Sequence, residues 1–340
     1  MCTMKLKLRP PLTSMTHPWV LHVKWSSVLV PTVYEKRIIK DTPMSPTTNP
    51  RRSSDPAGDI PSWISDTING GSLRHLDLHS GTNGWSSPPG SVFSLRSSNF
   101  ITNRQKSPAG DYLLKPAGMD WFRSNAKLEH VLSRADNRLM QALRRSQALG
   151  ESLKSFVFAV NLQIPGAKDH HSAVFYFATE DPDPLRTGSL LNRFVYGDDA
   201  FRNQRFKLVN RMVKGPWIVK KSVGNHSACL LGKALNCTYH GGANYLEIDI
   251  DIGSSAIASA ILHLALGCVT AITIDMGFVV EGQTEEELPE RLIGAVRVCQ
   301  MDLSSATVIE LPHVSSHVPR GVGMAKVNHH SSADDLALRD

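Results

Sequence analysis

Residues 245–280 read YLEIDIDIGSSAIASAILHLALGCVTAITIDMGFVV, and the parsing of this run decides the fold. Its first eight residues alternate strictly. Leu246, Ile248, Ile250 and Ile252 share one face of a strand, and Glu247, Asp249 and Asp251 take the other. Ser254 and Ser255 supply a hydroxyl cap for a helix over 256–266, which Gly267 ends. Residues 269–280 are rich in Val, Ile and Thr, which favour a strand. A competing parse exists, because Ala256 to Ile274 carries no charge and about 20 apolar residues suffice to span a bilayer. Gly267 in mid-run, the β-branched second half and Asp275 directly after it favour a buried helix, a turn and a core strand instead.

Working outward, SFVFAVNLQIP (155–165) and SAVFYFATE (172–180) are β-rich and joined by a short loop, which predicts a hairpin. RFKLVNRMV (205–213) and PWIVKKSV (216–223) flank Lys214-Gly215 and predict a second hairpin. A helix is expected over about 126–149, weakened at Asp136-Asn137. Another should start at Thr284, whose following Glu285, Glu286 and Glu287 suit the positive end of a helix dipole. Pro289 is tolerable only in that first turn. The chain therefore reads as one α+β domain over 61–303, mainly antiparallel sheet with packed helices, flanked by disordered ends over 1–60 and 304–340. Pro43 to Asp59 is rich in Pro, Ser and Thr and too poor in apolar residues to offset its ordering entropy. Residues 1–34 are basic and free of acid, which fits an unstructured leader and leaves an organellar transit peptide open.

The hydrophobic fraction, 41% of 340 residues, is enough for a sizeable core, and the net charge of +6 favours anionic partners. Five cysteines, odd in number and widely spread, give no disulfide framework and point to a reducing, cytoplasmic compartment.

The strongest candidate site is the basic stretch with Arg202, Arg205, Lys207, Arg211, Lys214, Lys220 and Lys221, which contains no acid and carries Trp217 among its aromatics. Such a surface suits phospholipid headgroups at a peripheral membrane site. Nucleic-acid phosphates are the less favoured partner, and a structural pairing of these cations with the acidic row at Glu247, Asp249 and Asp251 competes with both. His75, Asp77 and His79 share a face if their segment is a strand, and would then suit a metal. Cys229, Cys237 and His240 form a looser set that core packing explains better than a site does. No P-loop, GxSxG, HExxH or GxGxxG pattern is present, and no cofactor is implied. The expectation is a non-enzymatic, lipid- or membrane-associated domain. A protein-interaction scaffold is the first alternative and a metal-dependent enzyme the second.

A longer set of segments points to a family. WSSPPGSVFSLRS (85–97), KSPAGDYLL (106–114), DWF (120–122), HSAVFYFATE (171–180), GDDAFRNQRFKLVN (197–210), KGPWIVKKSVG (214–224), LLGKALNC (230–237) and EELPERLIGAVRV (286–298) resemble the C-terminal domain of the plant Enhanced Disease Resistance 2 proteins. The resemblance implies a membrane-associated regulator of defence signalling and supplies no catalytic residue. In that family the domain commonly follows a pleckstrin-homology domain and a START domain. Fewer than 85 residues precede the matching region here, so a stand-alone member is expected, without phosphoinositide binding inherited from those modules.

Overall fold

The computed structural model describes residues 60–311 apart from 167 and 225. The expected leader up to residue 59 and the tail beyond residue 311 lie outside the described residues. In chain order the strands are β1 (Arg74–His75), β2 (Gly84–Ser86), β3 (Ser94–Arg96), β4 (Lys106–Pro108), β5 (Lys115–Ser124), β6 (Phe156–Ile164), β7 (His170–Thr179), β8 (Phe206–Lys214), β9 (His226–Leu230), β10 (Asn236–Gly241), β11 (Tyr245–Asp251), β12 (Thr273–Val280), β13 (Leu292–Cys299) and β14 (Thr307–Ile309). The helices are α1 (Ser62–Asn69), α2 (Phe100–Asn103), α3 (Arg138–Ala148), α4 (Leu190–Tyr196), α5 (Asp199–Arg205), α6 (Trp217–Val223), α7 (Leu231–Ala234) and α8 (Ala256–Leu266).

Two six-stranded sheets carry the fold. One runs β1-β2-β13-β12-β8-β9, the other β10-β11-β6-β7-β5-β14, and β3 and β4 form a separate ribbon. Neighbours are antiparallel except β1–β2, β6–β11 and β5–β14. This is the expected α+β, mainly antiparallel class, and the β6–β7 hairpin forms as its pattern requires, with Val160 opposite Phe175.

Alternation dictates how the layers stack. Phe158, Val160, Phe175, Phe177, Leu246, Ile248 and Ile250 of the second sheet share one core with Phe206, Phe278, Val280, Ile293 and Val296 of the first. Phe278 sits at the centre of this seam, its ring centroid 5.8 Å from Phe175, 5.7 Å from Phe177 and 6.1 Å from Phe206. Gly294 makes room for Phe177, because a Cβ there would fall 2.2 Å from the ring. The other face of the second sheet, including Val157, Ala159, Val174 and Tyr176, is covered by α1 and α3 through Trp63, Ile64, Leu139 and Leu143.

Five expectations are corrected. Residues 217–223 form helix α6, not the return strand of a hairpin, and β8 pairs with β12 and β9 instead. Pro216 sets an extended backbone at the helix start, and Val219 and Val223, four apart, bury against Met212, Ile272 and α8. The helix expected over 126–149 is confined to Arg138–Ala148. His130 adopts a left-handed backbone (φ 48°), a single helical turn follows at Val131–Ser133, and Asn137 caps α3 by accepting the Met140 N–H at 2.9 Å. The helix expected at Thr284 stops after Glu285–Glu287, since Leu288 precedes Pro289 and is driven to extended backbone. Residues 304–311, assigned to the disordered tail, continue the domain. Thr307–Ile309 pairs in parallel with β5, and Asn125 exchanges hydrogen bonds with the Leu311 backbone. Finally, α8 and the strand after Gly267 form as expected, but α8 is not buried. It lies on the surface with no fully buried side chain.

Because Phe278 touches rings from both sheets, Phe278→Ala should leave a cavity that neither sheet can collapse into. The expected loss of unfolding free energy is about 3–5 kcal/mol by urea titration. A loss below about 1 kcal/mol would show that the seam is not the centre of the core.

Candidate functional site

The basic stretch divides in two once it is folded. Arg202 directs its guanidinium at the end of α4, donating to the Phe194 carbonyl at 3.0 Å and the Val195 carbonyl at 2.6 Å, and it pairs with Asp199 at 2.8 Å. A cation there satisfies the free carbonyls and negative pole of a helix end. Arg205 is buried and pairs with Glu287. Lys207 is buried on a central strand and pairs with Glu290, with Glu281 at 3.4 Å. Burial lowers the Lys207 pKa, and the two carboxylates oppose that shift. Arg211 reaches Asp275 at 3.7 Å, beside the bidentate contact of Arg297 with the same carboxylate at 2.6 and 2.9 Å. These four cations are engaged within the fold by carboxylates and, for Arg202, by helix-end carbonyls. Their partners are Asp199, Asp275, Glu281, Glu287 and Glu290, not the expected row at Glu247, Asp249 and Asp251.

The remaining four candidates come together. β8 ends at Lys214, Gly215 turns the chain with φ 156°, and α6 begins at Trp217. Trp217 is 73% exposed and Ile218 40% exposed. Lys214 and Lys221 are exposed and Lys220 is half-buried, and none of the three makes an ion pair among the described residues. Trp217 and Lys221 are four residues apart and so share the outward face of α6, opposite Val219. α6 packs against α8, an eleven-residue helix without a charged residue apart from any charge on His263. Leu262 and Leu266 anchor α8 to the main core, while Ile257 and Ile261 remain only partly covered. Trp217, Ile218 and the three lysines thus share the outward side of this region, with α8 packed against the inner face of α6. No helix among the described residues is long and apolar enough to cross a membrane.

The metal candidates do not converge. The His75 ring rests on Trp85, with centroids 4.5 Å apart. Asp77 turns back to accept the backbone N–H of His79 at 2.9 Å, so the strand ends before the three side chains can share a face. Burial pushes the Cys237 thiol up to about 12, which keeps it protonated. Among the described residues no three His, Cys, Asp or Glu side chains are grouped so as to hold a metal.

The acidic row, expected on a solvated or ion-paired sheet face, is instead largely interior. Glu247 is fully buried and accepts the backbone N–H groups of Val131 and Leu132 at 2.7 and 2.8 Å. Asp249 is 2% exposed and accepts from the His130 N–H at 2.9 Å and from Asn161 Nδ2 at 2.9 Å. His240 Nε2 lies 3.0 Å from Asp249, the His130 and His240 rings stack at 4.4 Å, and His130 Nε2 lies 2.8 Å from the Tyr245 hydroxyl. Only Asp251, at the strand end, meets a lysine, Lys127 at 2.5 Å. Burial pushes the Glu247 carboxyl up to about 8, and the charge of Asp249 adds to the shift. This His–Asp–Glu arrangement was not visible in the sequence, since His130 lies 119 residues from Asp249.

Comparison with known proteins gives a consistent picture. Residues 85–302 match the family described as Protein ENHANCED DISEASE RESISTANCE 2, C-terminal. The chain is 44% identical over 241 residues to an Arabidopsis thaliana protein named Protein ENHANCED DISEASE RESISTANCE 2-like, covering 71% of this chain and 32% of that relative. The chain thus spans about a third of the relative's length. No solved structure matches significantly.

The buried Glu247 makes stability depend on pH. Its folded pKa of about 8 lies above the ordinary 4.5, so the folded state holds the proton more tightly. Its contribution is fully present below pH 4.5 and is lost as pH rises through about 8. Glu247→Gln keeps the acceptor oxygen and cannot ionise. The stability of the variant relative to wild type should therefore rise with pH across this window, by urea titration at a series of pH values. A pH-independent difference between the two chains would show that Glu247 is ionised throughout.

Proposed function

The chain belongs to the family of Protein ENHANCED DISEASE RESISTANCE 2, C-terminal, and from that premise we propose that it docks on anionic membrane surfaces through α6 and α8. The observation that carries the reading is Trp217, a large apolar side chain left 73% exposed beside Lys214, Lys220 and Lys221. Folding gains nothing from a tryptophan held in water, whereas its amphipathic ring suits the headgroup level of a bilayer. The lysines, without acidic partners among the described residues, complement an anionic leaflet, each contributing on the order of 1 kcal/mol. α8 adds an uncharged flank that can settle into the interface alongside Trp217 and Ile218. In this reading the domain is non-enzymatic and peripheral to the membrane, and the name of its relative makes a defence-related role the natural extension.

A protein-interaction scaffold is the second reading, and a different place on the molecule favours it. A cavity of about 600 Å³ is lined by Lys154, Asp181, Arg186 and Asn244, with Leu153 and Tyr196 at 68% and 63% exposure on its wall. Exposed apolar side chains around a concavity are a common mark of a protein contact.

The membrane reading is tested by sedimentation with vesicles of phosphatidylcholine alone or with phosphatidylserine. The full chain should sediment with the anionic vesicles only, and less so as salt rises. Reversing Lys214, Lys220 and Lys221 to Glu should weaken binding about 100-fold or more. Trp217→Ala should weaken it about tenfold while leaving the salt dependence unchanged. Equal binding to both vesicle types at high salt would overturn the proposal.

A further inference from the structure

The membrane reading brings a neighbouring hydroxyl into play. Ser222 directly follows Lys220 and Lys221 in the last turn of α6. It is half-buried, and its Oγ donates to the Ile218 carbonyl at 3.0 Å, which lays the hydroxyl along the helix surface. No acidic residue occurs in the sequence between Asp199 and Glu247, so Ser222 lies in an entirely basic segment. The helix is also lightly held. Val219 is its one fully buried side chain, and it is bounded by Gly215 (φ 156°) and Gly224 (φ 89°), conformations that glycine adopts at little cost. A seven-residue helix with a single buried anchor between two such glycines opens locally far more readily than the sheets around it. Local opening is what a serine kinase needs in order to take the segment as an extended peptide.

We propose that Ser222 is a phosphorylation site whose modification releases the chain from anionic membranes; this rests on the docking role of α6. In the transfer the Ser222 Oγ attacks the γ-phosphorus of a nucleoside triphosphate. The Oγ–P bond forms, the bond from that phosphorus to the β,γ-bridging oxygen breaks, the hydroxyl proton passes to the base of the kinase, and the nucleoside diphosphate leaves. The product carries a charge of about −2 beside Lys220 and Lys221. It offsets most of the charge of the three lysines and repels anionic headgroups. It also sits at the negative pole of α6, which loosens the last turn.

The test treats the full chain with a nucleoside triphosphate and a serine kinase directed to basic segments. Phosphate is located by peptide mass, and binding is measured on phosphatidylcholine vesicles containing phosphatidylserine. The expected result is a phosphate at Ser222 among any others, binding about 30-fold weaker than that of the unmodified chain, and recovery of most of that loss in Ser222→Ala after the same treatment. Ser222→Asp should lose part of the affinity while keeping the unfolding transition of the wild type. Absence of phosphate at Ser222, or sedimentation of the phosphorylated chain equal to that of the unmodified one, overturns this inference and leaves the docking role intact. Failure of the unmodified chain to sediment overturns the docking role and this inference with it.

Discussion

The apolar seam between the two sheets, centred on Phe278, dictates where the interior charges of the domain go. A strand that places alternate residues in such a seam must send the intervening ones to its other face. β8 shows the consequence. Phe206 joins the seam, so Lys207 points the other way into the space beneath the β3–β4 ribbon. An unpaired cation there would cost several kcal/mol. Glu290 and Glu281 stand against Lys207, and Arg96 from the ribbon joins the same carboxylates at 3.7 and 3.0 Å. Asp275 plays the same part for Arg211 and Arg297. The cations on β8 are therefore part of how the ribbon, the sheet and the Glu281–Glu290 turn are locked together.

The same constraint explains Glu247 and Asp249. With Leu246, Ile248 and Ile250 committed to the seam, the two carboxylates face the layer of α1 and α3. They need donors there, and the chain supplies them by leaving residues 130–132 out of regular helix, so that three backbone N–H groups are free to point at the sheet. The non-helical start of the region before α3 and the buried acids are two halves of one arrangement. Stacking of His130 on His240 closes its open side.

What the sequence made legible follows from this. Strict alternation placed β11, and the apolar hairpin placed β6 and β7, because period two is a local property. Alternation cannot say whether a polar face meets water or a covering layer, and Glu247 was misplaced for that reason. Trp217, Ile218, Val219 and Val223 of α6 are residues of strand propensity, and the contacts of Val219 and Val223 with Met212 and Ile272 outweigh that preference. The basic stretch was legible as a cluster but not as two populations. Which cations are paired depends on Glu281, Glu287 and Glu290, some 80 residues further along. The family was the most legible feature of all, since its motifs are long and need no folding to be recognised.

The apolar character of α8 predicts burial, and its half-covered placement changes its meaning. An uncharged helix fully inside a core is accounted for by the area it removes from water. α8 packs on the main core through Leu262 and Leu266 and on the cluster around Val219 through Leu264 and Ala265, leaving Ala256, Ala260 and His263 as its exposed positions. The adjacent α6 departs from the surface rule, with Trp217 exposed where a polar residue would serve solubility better. The exposed Trp217 and Ile218, beside lysines without acidic partners among the described residues, are the features that support the proposed docking role. In a docking role their parts separate physically. The lysines act over a Debye length of about 10 Å and govern approach, whereas Trp217 and α8 act only on contact and govern residence.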